Sequence, residues 1–327
     1  MRDIIVSVIC TAYNHEKYIR KCLDGFVQQK ADFLFEVLVH DDASTDATAA
    51  IIREYEIAYP DIIKPIYQTE NQYSKGIPIT REIVFPKCQG RYIALCEGDD
   101  FWTDPYKLQK QVDALETHPD CSMCVCTVQK VSEDESKILG YKPPFELEEG
   151  VIESEIFLNF VIKDHTFQTS SYLFRAFLYK EYAEHTPVFA QICPVGDEAY
   201  MLYFGYKGNV FFCKDTMTCY RCFSVGSWNE RMRSNKEKSN FHHERLASTF
   251  ASYDSFTEGC FHKQCLQRIF SEKYLAADRP MDFMKLLTAK EKMFFKQPLV
   301  RKLRILTGAF CYPLLKWKRQ ILGQTNN

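Results

Sequence analysis

The chain opens on an almost unbroken apolar run, Ile4 to Cys10 (IIVSVIC), as expected of a parallel strand covered on both faces. Polar TAYNHEKY follows, and then Ile19, Cys22, Leu23, Phe26 and Val27 recur at helical spacing. The alternation repeats. Phe35 to Val39 predicts a second strand, ending in His40, Asp41 and Asp42. The next helix takes Ser44 or Thr45 as its cap and shows Ile51, Ile52 and Tyr55 on its apolar face. Ile62 to Tyr67 predicts a third strand, 79–88 a short helical crossing, and Ile93 to Cys96 a fourth strand. Strand–helix alternation with short links predicts a doubly wound, mostly parallel α/β sheet flanked by helices.

Further along, Asp104-Pro105 reads as a helix start, with Leu108, Val112 and Leu115 forming one apolar stripe. Cys121 to Val131 predicts a strand and 132–150, with Pro143-Pro144, a loop. HTFQTSSYLFR (165–175) predicts a strand with hydroxyls on one face. PVGDEAYMLYFG (194–205) predicts a loop acid opening an apolar helix, and 208–223 a strand pair. From about 237 to 300 the pattern is helical, with His242 and His243 on a solvated face. These patterns divide the chain into an α/β domain over 1–230 and a helical C-terminal region over 231–327. No internal repeat and no glycine-rich phosphate loop is found.

The chemistry concentrates in IALCEGDDFWTDP, residues 93–105. Four apolar residues run into Glu97, Asp99 and Asp100, and ligands of open α/β sheets sit beyond the carboxyl ends of the strands. Adjacent carboxylates repel one another unless a cation or a sugar hydroxyl uses them. Trp102 offers an apolar wall for a sugar ring, or a core residue. Three strand ends, carrying Thr11 and Tyr13, Asp41 and Asp42, and Asp99 and Asp100, are expected to converge on one edge. His165 and Gln168 are weaker candidates for contact with a ligand, as is Glu198 beside Asp197.

Composition is that of an ordinary globular chain: 46% hydrophobic, 26% charged, net charge −2 over 327 residues. No nucleic-acid partner is expected. No apolar run reaches 18 residues and no signal peptide is evident, so a cytoplasmic setting is expected. Fourteen cysteines scattered through apolar runs suit a reducing compartment. The pairs Cys121/Cys124 and Cys219/Cys222 have zinc-knuckle spacing, but β-like runs around them favour buried thiols. Charge is uneven: from Lys292 to Asn327 there are eight basic residues and no acidic one. There Ile305 to Leu315 is mostly apolar and basic on both flanks, which suits peripheral contact with an anionic membrane at the inner face of the cell membrane.

The stretches VICTAYN, VHDDASTDAT, YIALCEGDDFWTDPYKLQKQVDAL, VGDEAYMLYFGYKG and YRCFSVGSW, in this order, resemble the inverting family 2 glycosyltransferases of GT-A fold. The likeness covers about residues 4–230. It implies a metal-dependent, hexosyltransferase-like enzyme that moves a sugar from a nucleotide-diphosphate donor, a UDP-sugar by preference. The acceptor would be a glycan or lipid-linked, in surface polysaccharide synthesis. By this resemblance Thr11, Ala12, Tyr13 and Asp42 hold the nucleobase, and Asp99 and Asp100 are the ribose and metal acids of the DXD motif. Mn²⁺ or Mg²⁺ is the implied cofactor and Asp197 the implied base. The family motif near 220 often reads Tyr-Arg-x-His, and Phe223 stands where that His would be. Rival readings are a sugar-nucleotide nucleotidyltransferase, which would carry a glycine-rich loop after the first strand, and an inactive nucleotide-binding scaffold.

Overall fold

The computed structural model describes residues 3–164, 166–222 and 235–276. His165, Phe223 and the basic tail, singled out above, lie outside them. The chain forms two compact units, one of residues 1–191 and 195–231, the other of 192–194 and 232–327.

The first unit is built on a ten-stranded sheet. Strands β1 (Ile4–Ala12), β2 (Leu34–Asp41), β3 (Ile63–Tyr67) and β4 (Tyr92–Leu95) pair in parallel in the order β3-β2-β1-β4. Helices α1 (Ile19–Val27) and α2 (Thr48–Ala58) lie between successive strands in the chain. Of the residues the apolar spacing marked, Ile19, Cys22, Leu23 and Phe26 on α1 and Ile52 and Tyr55 on α2 are buried, while Val27 and Ile51 are partly buried. The buried ones join Val6, Val8, Val37, Val39 and Ala94 in the main core cluster. After the short strand β5 (Phe101–Trp102) comes α3 (Lys107–Thr117), which buries Leu108, Val112 and Leu115.

The second half of the sheet is mixed. β6 (Cys121–Ser132) runs parallel to β10 (Asn209–Cys222), while β9 (Leu173–Arg175) lies antiparallel between β4 and β6. β7 (Ile138–Lys142) and β8 (Gly150–Ile152) pair antiparallel with β6 and β10. Helices α4 (Ser154–Lys163), α5 (Ala176–Glu184), α6 (Val188–Ile192) and α7 (Gly196–Lys207) follow in the gaps between strands. All the long pairings are parallel, so the doubly wound, mostly parallel expectation holds for the sheet.

Several local expectations are corrected. Residues 132–150 contain β7 rather than loop alone. Residues 165–175 are not one strand: Thr169–Ser171 is a 3₁₀ turn and only Leu173–Arg175 pairs. The strand pair expected over 208–223 is one long strand, β10, with register shifts near Cys213, Thr216 and Thr218. Neither Ser44 nor Thr45 caps α2. Ser44 Oγ accepts the Asn14 amide (2.9 Å), the Thr45 amide donates to Asn14 Oδ1 (2.8 Å), and Asp46 Oδ1 takes the Thr48 amide (2.9 Å) instead. Asp104 Oδ1 accepts the Tyr106 amide (2.8 Å), so α3 begins two residues after Pro105.

The second unit contains α8 (Lys236–Phe256) and α9 (His262–Ala276), helical as the pattern indicated. His242 and His243 are not a solvated face. His242 is buried, and His243 Nδ1 lies 2.7 Å from the buried Glu272 carboxylate. No helix among the described residues is long and apolar enough to cross a membrane.

Candidate functional site

Main-chain bonds bring the strand ends together. The Gly98 amide donates to Thr11 O (2.9 Å) and the Asp42 amide to Ala12 O (2.9 Å), so the last two residues of β1 hold the loops after β4 and β2. Gly98 packs closely there: a Cβ would lie 2.9 Å from His15 Nδ1 and 3.0 Å from Ile19 Cδ1, so those side chains would have to shift. Tyr13, just past β1, is 45% exposed.

Asp42 is buried, and both its oxygens are engaged: Oδ1 accepts the Gln72 amide (2.7 Å) and Oδ2 the Tyr73 amide (3.0 Å). It therefore organises the 72–75 turn, a role the sequence did not suggest. Beside it, both ring nitrogens of buried His40 and Oδ1 of buried Asp41 lack hydrogen-bond partners among the described residues.

The acid loop is charged and confined. Asp100 is buried; Oδ1 accepts the Arg221 amide (3.0 Å), while Oδ2 finds no hydrogen-bond partner among the described residues. Burial, then the charges of Asp99 and Glu97, push the Asp100 carboxyl well up, against the pull of Arg221. The Glu97 carboxyl is pushed up to about 8 by burial, then by Asp99 and Asp197. The last cause matters most for function, because it brings an acid from α7 into the field of the acid loop, 100 residues away in the sequence.

Arg221, read only as part of a motif, is a structural clamp. Its buried guanidinium donates to Asp99 O and to Glu135 Oε1 (2.7 Å from Nη2) and lies over the Phe101 ring at 4.5 Å. Tyr220 beside it feels Asp100 first among the surrounding charges, which, after burial, raise its phenol.

Asp197 Oδ2 accepts the Thr169 hydroxyl (3.1 Å) and Oδ1 the Glu198 amide (3.0 Å) at the start of α7. Asp197 is partly exposed whereas Glu198 is buried, as their roughly 100° separation on a helix requires. The 169–171 turn that carries Thr169 is tied on all sides. Ser170 O accepts Trp102 Nε1 (3.1 Å), Ser170 Oγ accepts Thr218 Oγ1 (2.9 Å), and Ser171 O accepts Gln111 Nε2 (2.8 Å).

Trp102 is thereby a core residue. It is 4% exposed, packs edge-on against Phe26 (4.8 Å) and carries the buried Lys107 ammonium over its ring at 4.2 Å, which leaves no face for a sugar. Gln168 is buried at the head of the turn, its carbonyl accepting the Ser171 amide (2.9 Å).

Two further residues belong here that pattern reading missed. Lys142, at the end of β7, is lowered by burial and raised by the charges of Asp197 and Asp164. Tyr172 follows the turn and is fully buried, its phenol raised by burial and by Asp197, Glu97 and Glu198. Nothing in an isolated Lys before proline, or a Tyr in an apolar run, marks either residue.

Among the described residues no three His, Cys, Asp or Glu side chains form a metal-binding group. A hard divalent cation held by one or two carboxylates and completed by phosphate oxygens needs no such group. The unpartnered Oδ2 of Asp100 and the mutual repulsion of the acids fit that mode. Cys121 and Cys124 on β6, and Cys219 and Cys222 on β10, are all buried thiols within the sheet.

A mixed, mostly parallel sheet flanked by helices, with C-terminal helices after it, is the architecture of GT-A-like glycosyltransferases. The S. aureus protein TarS (residues 1–349, in complex with UDP-GlcNAc) superposes with a TM-score of 0.61 at 17% identity, covering 94% of this chain and 81% of that one. Mannosyltransferase PcManGT from Pyrobaculum calidifontis, in complex with GDP-Man and Mn²⁺, has a TM-score of 0.54 at 18% identity, covering 97% and 83%. The chain belongs to glycosyl transferase family 2, whose model matches residues 7–182. An uncharacterized protein of Mycobacterium tuberculosis is 34% identical over 223 residues, 68% of this chain and 60% of that protein. The chain thus aligns with well under two thirds of that relative's length.

Proposed function

We propose that this chain is an inverting, metal-dependent glycosyltransferase that moves a hexose-type sugar from a nucleotide-diphosphate donor to a hydroxyl of a glycan or lipid-linked acceptor. Surface polysaccharide synthesis is the proposed setting. The observation that carries the reading is the link between two acid sets: Asp197 at the head of α7 holds Thr169, whose turn passes through Tyr172 to Leu95, the last residue of β4 before Glu97, Asp99 and Asp100.

Asp100, with Asp99 beside it, would hold Mn²⁺ or Mg²⁺ against the donor diphosphate. Such an ion, when bound, neutralises charge on the leaving diphosphate, a contribution of several kcal/mol. The remaining work falls to the chain. Thr11, Ala12, Tyr13 and Asp42 line the nucleobase side, where Tyr13 has an exposed ring to stack. Asp197 takes the proton from the attacking acceptor hydroxyl as its oxygen bonds to the anomeric carbon and the diphosphate leaves from the opposite face. Its hydrogen bonds to the Thr169 hydroxyl and the Glu198 amide orient it. A positioned base of this kind is worth roughly 10²–10⁴-fold. The UDP-GlcNAc held by TarS supports a UDP-sugar donor, and the Mn²⁺ held by PcManGT supports the cation.

The test is nucleoside diphosphate release from a panel of nucleotide sugars with Mn²⁺ and candidate glycan acceptors. Asp197→Asn should lower kcat by about 10²-fold or more with donor affinity nearly unchanged. Glu198→Gln should do far less. The reverse ranking would move the base to Glu198, and release of no diphosphate from any donor would overturn the activity.

A further inference from the structure

Buried tyrosines in this chain find partners. Tyr179 and Tyr200 join their hydroxyls at 2.9 Å, Tyr55 donates to Asp24, and Tyr18 to Glu133. Tyr172 is the exception: it is 0% exposed, and its hydroxyl has no hydrogen-bond partner among the described residues. A buried hydroxyl left in that state is destabilising, so each such case in a folded protein calls for an explanation.

Its place in the fold supplies one. Tyr172 O accepts the Leu95 amide (3.3 Å), two residues before Glu97, and the Tyr172 amide donates to Thr169 O (3.0 Å), whose residue holds Asp197. The side chain therefore springs from the seam between the acid loop and the base. The three charges it feels are those of Asp197, Glu97 and Glu198. A buried phenol O–H in the field of three carboxylates yet bonded to none calls for a bridging group. That group must accept from the phenol and donate to a carboxylate. A cation cannot accept, and a phosphate dianion cannot donate. A hydroxyl does both.

We propose that Tyr172 is a donor-reading residue, its hydroxyl binding a hydroxyl of the sugar being transferred. This rests on the nucleotide-sugar reading above. It deepens that reading by assigning sugar recognition to a residue distinct from the nucleotide, metal and base positions. A site built to hydrogen-bond a substrate hydroxyl discriminates strongly against analogues that lack it, because its own polar group is then left unpaired.

The test is Tyr172→Phe, which removes one oxygen and keeps the ring. In the absence of nucleotide its melting temperature should equal or exceed that of the wild type, since an unpartnered hydroxyl is lost. Calorimetric affinities are then measured with Mn²⁺ for UDP and for UDP-glucose, UDP-galactose and UDP-N-acetylglucosamine. UDP should bind the two proteins within about twofold of each other, while the UDP-sugar bound best by the wild type weakens about tenfold. Single-deoxy analogues of that sugar should include one that binds both proteins equally. Equal affinities for the intact UDP-sugar would mean the hydroxyl holds only an ordered water, and would overturn the proposal. Equal losses for UDP and UDP-sugar would overturn it too, by showing a general effect on the acid loop. A wild type that binds neither UDP nor any UDP-sugar defeats the donor reading itself, and this inference with it.

Discussion

Asp100 divides its carboxylate between two tasks, one oxygen accepting the Arg221 amide and the other buried without a hydrogen-bond partner among the described residues. Asp100→Asn keeps an acceptor for Arg221 and removes a charge that Asp99 and Glu97 oppose. In the metal-free protein the substitution should therefore stabilise, by about 1 kcal/mol or ~2–4 °C in melting temperature. Mn²⁺-dependent UDP binding should be lost at the same time. A thermal-shift series with and without Mn²⁺ and UDP reads both, and an Asn variant that still gains stability from Mn²⁺ plus UDP would end the metal role. Asp42 separates differently. Asp42→Ala should raise the donor KM well beyond any change in kcat, and it should also speed proteolysis within 70–76, because both oxygens cap that turn. An unchanged KM with faster cleavage would leave Asp42 a purely structural acid. Carboxylates at strand ends were legible in the sequence because a charge after an apolar run has few structural uses. Tyr172 and Arg221 were not, since inside strand-like runs they look like core and rim, and the long-range partners that place them, Leu95 and Asp99, lie 77 and 122 positions away.

At the scale of elements, the parallel half of the sheet was readable because buried strands and amphipathic helices each leave a strong period. The mixed half was not. β7 is an edge strand exposed or half-exposed along its length, with Gly140 at φ 122°, so it shows no alternation. The hydroxyls of 166–171 are buried and bind backbone and side chains around the turn, so they mark a knot of contacts instead of a strand face. β10 stays continuous through exposed Lys214, Asp215 and Thr216, a polar break that reads as a turn. In α8, burial and then the neighbouring His243 lower the His242 imidazole to about 4. An imidazole whose folded value lies below its unfolded value of about 6.5 binds its proton preferentially in the unfolded chain. Its contribution to stability is therefore complete above pH 6.5 and lost as pH falls towards 4. Helical melts by circular dichroism should show that slope in the wild type, and His242→Phe should flatten it. A variant with the same slope would assign the acid sensitivity to other groups.

The whole molecule holds its described residues together without covalent or metal cross-links. No disulfide joins the thirteen described cysteines, and burial pushes most of those thiols up, Cys126 to about 12. Reductant and chelator together should leave the melting temperature within about 1 °C, while chelator alone abolishes diphosphate release; a large drop on chelation would reveal a structural metal. One further consequence follows from how the two loops hang on the last carbonyls of β1. Those ties are main-chain to main-chain, so they do not depend on the side chains of Thr11, Ala12 and Tyr13. Variants at these positions can trade one nucleobase for another while the hooks that aim the acids stay in place. A lineage, natural or selected in the laboratory, could then walk from one donor to the next through intermediates that all still fold, so long as the acids and the closely packed Gly98 are kept.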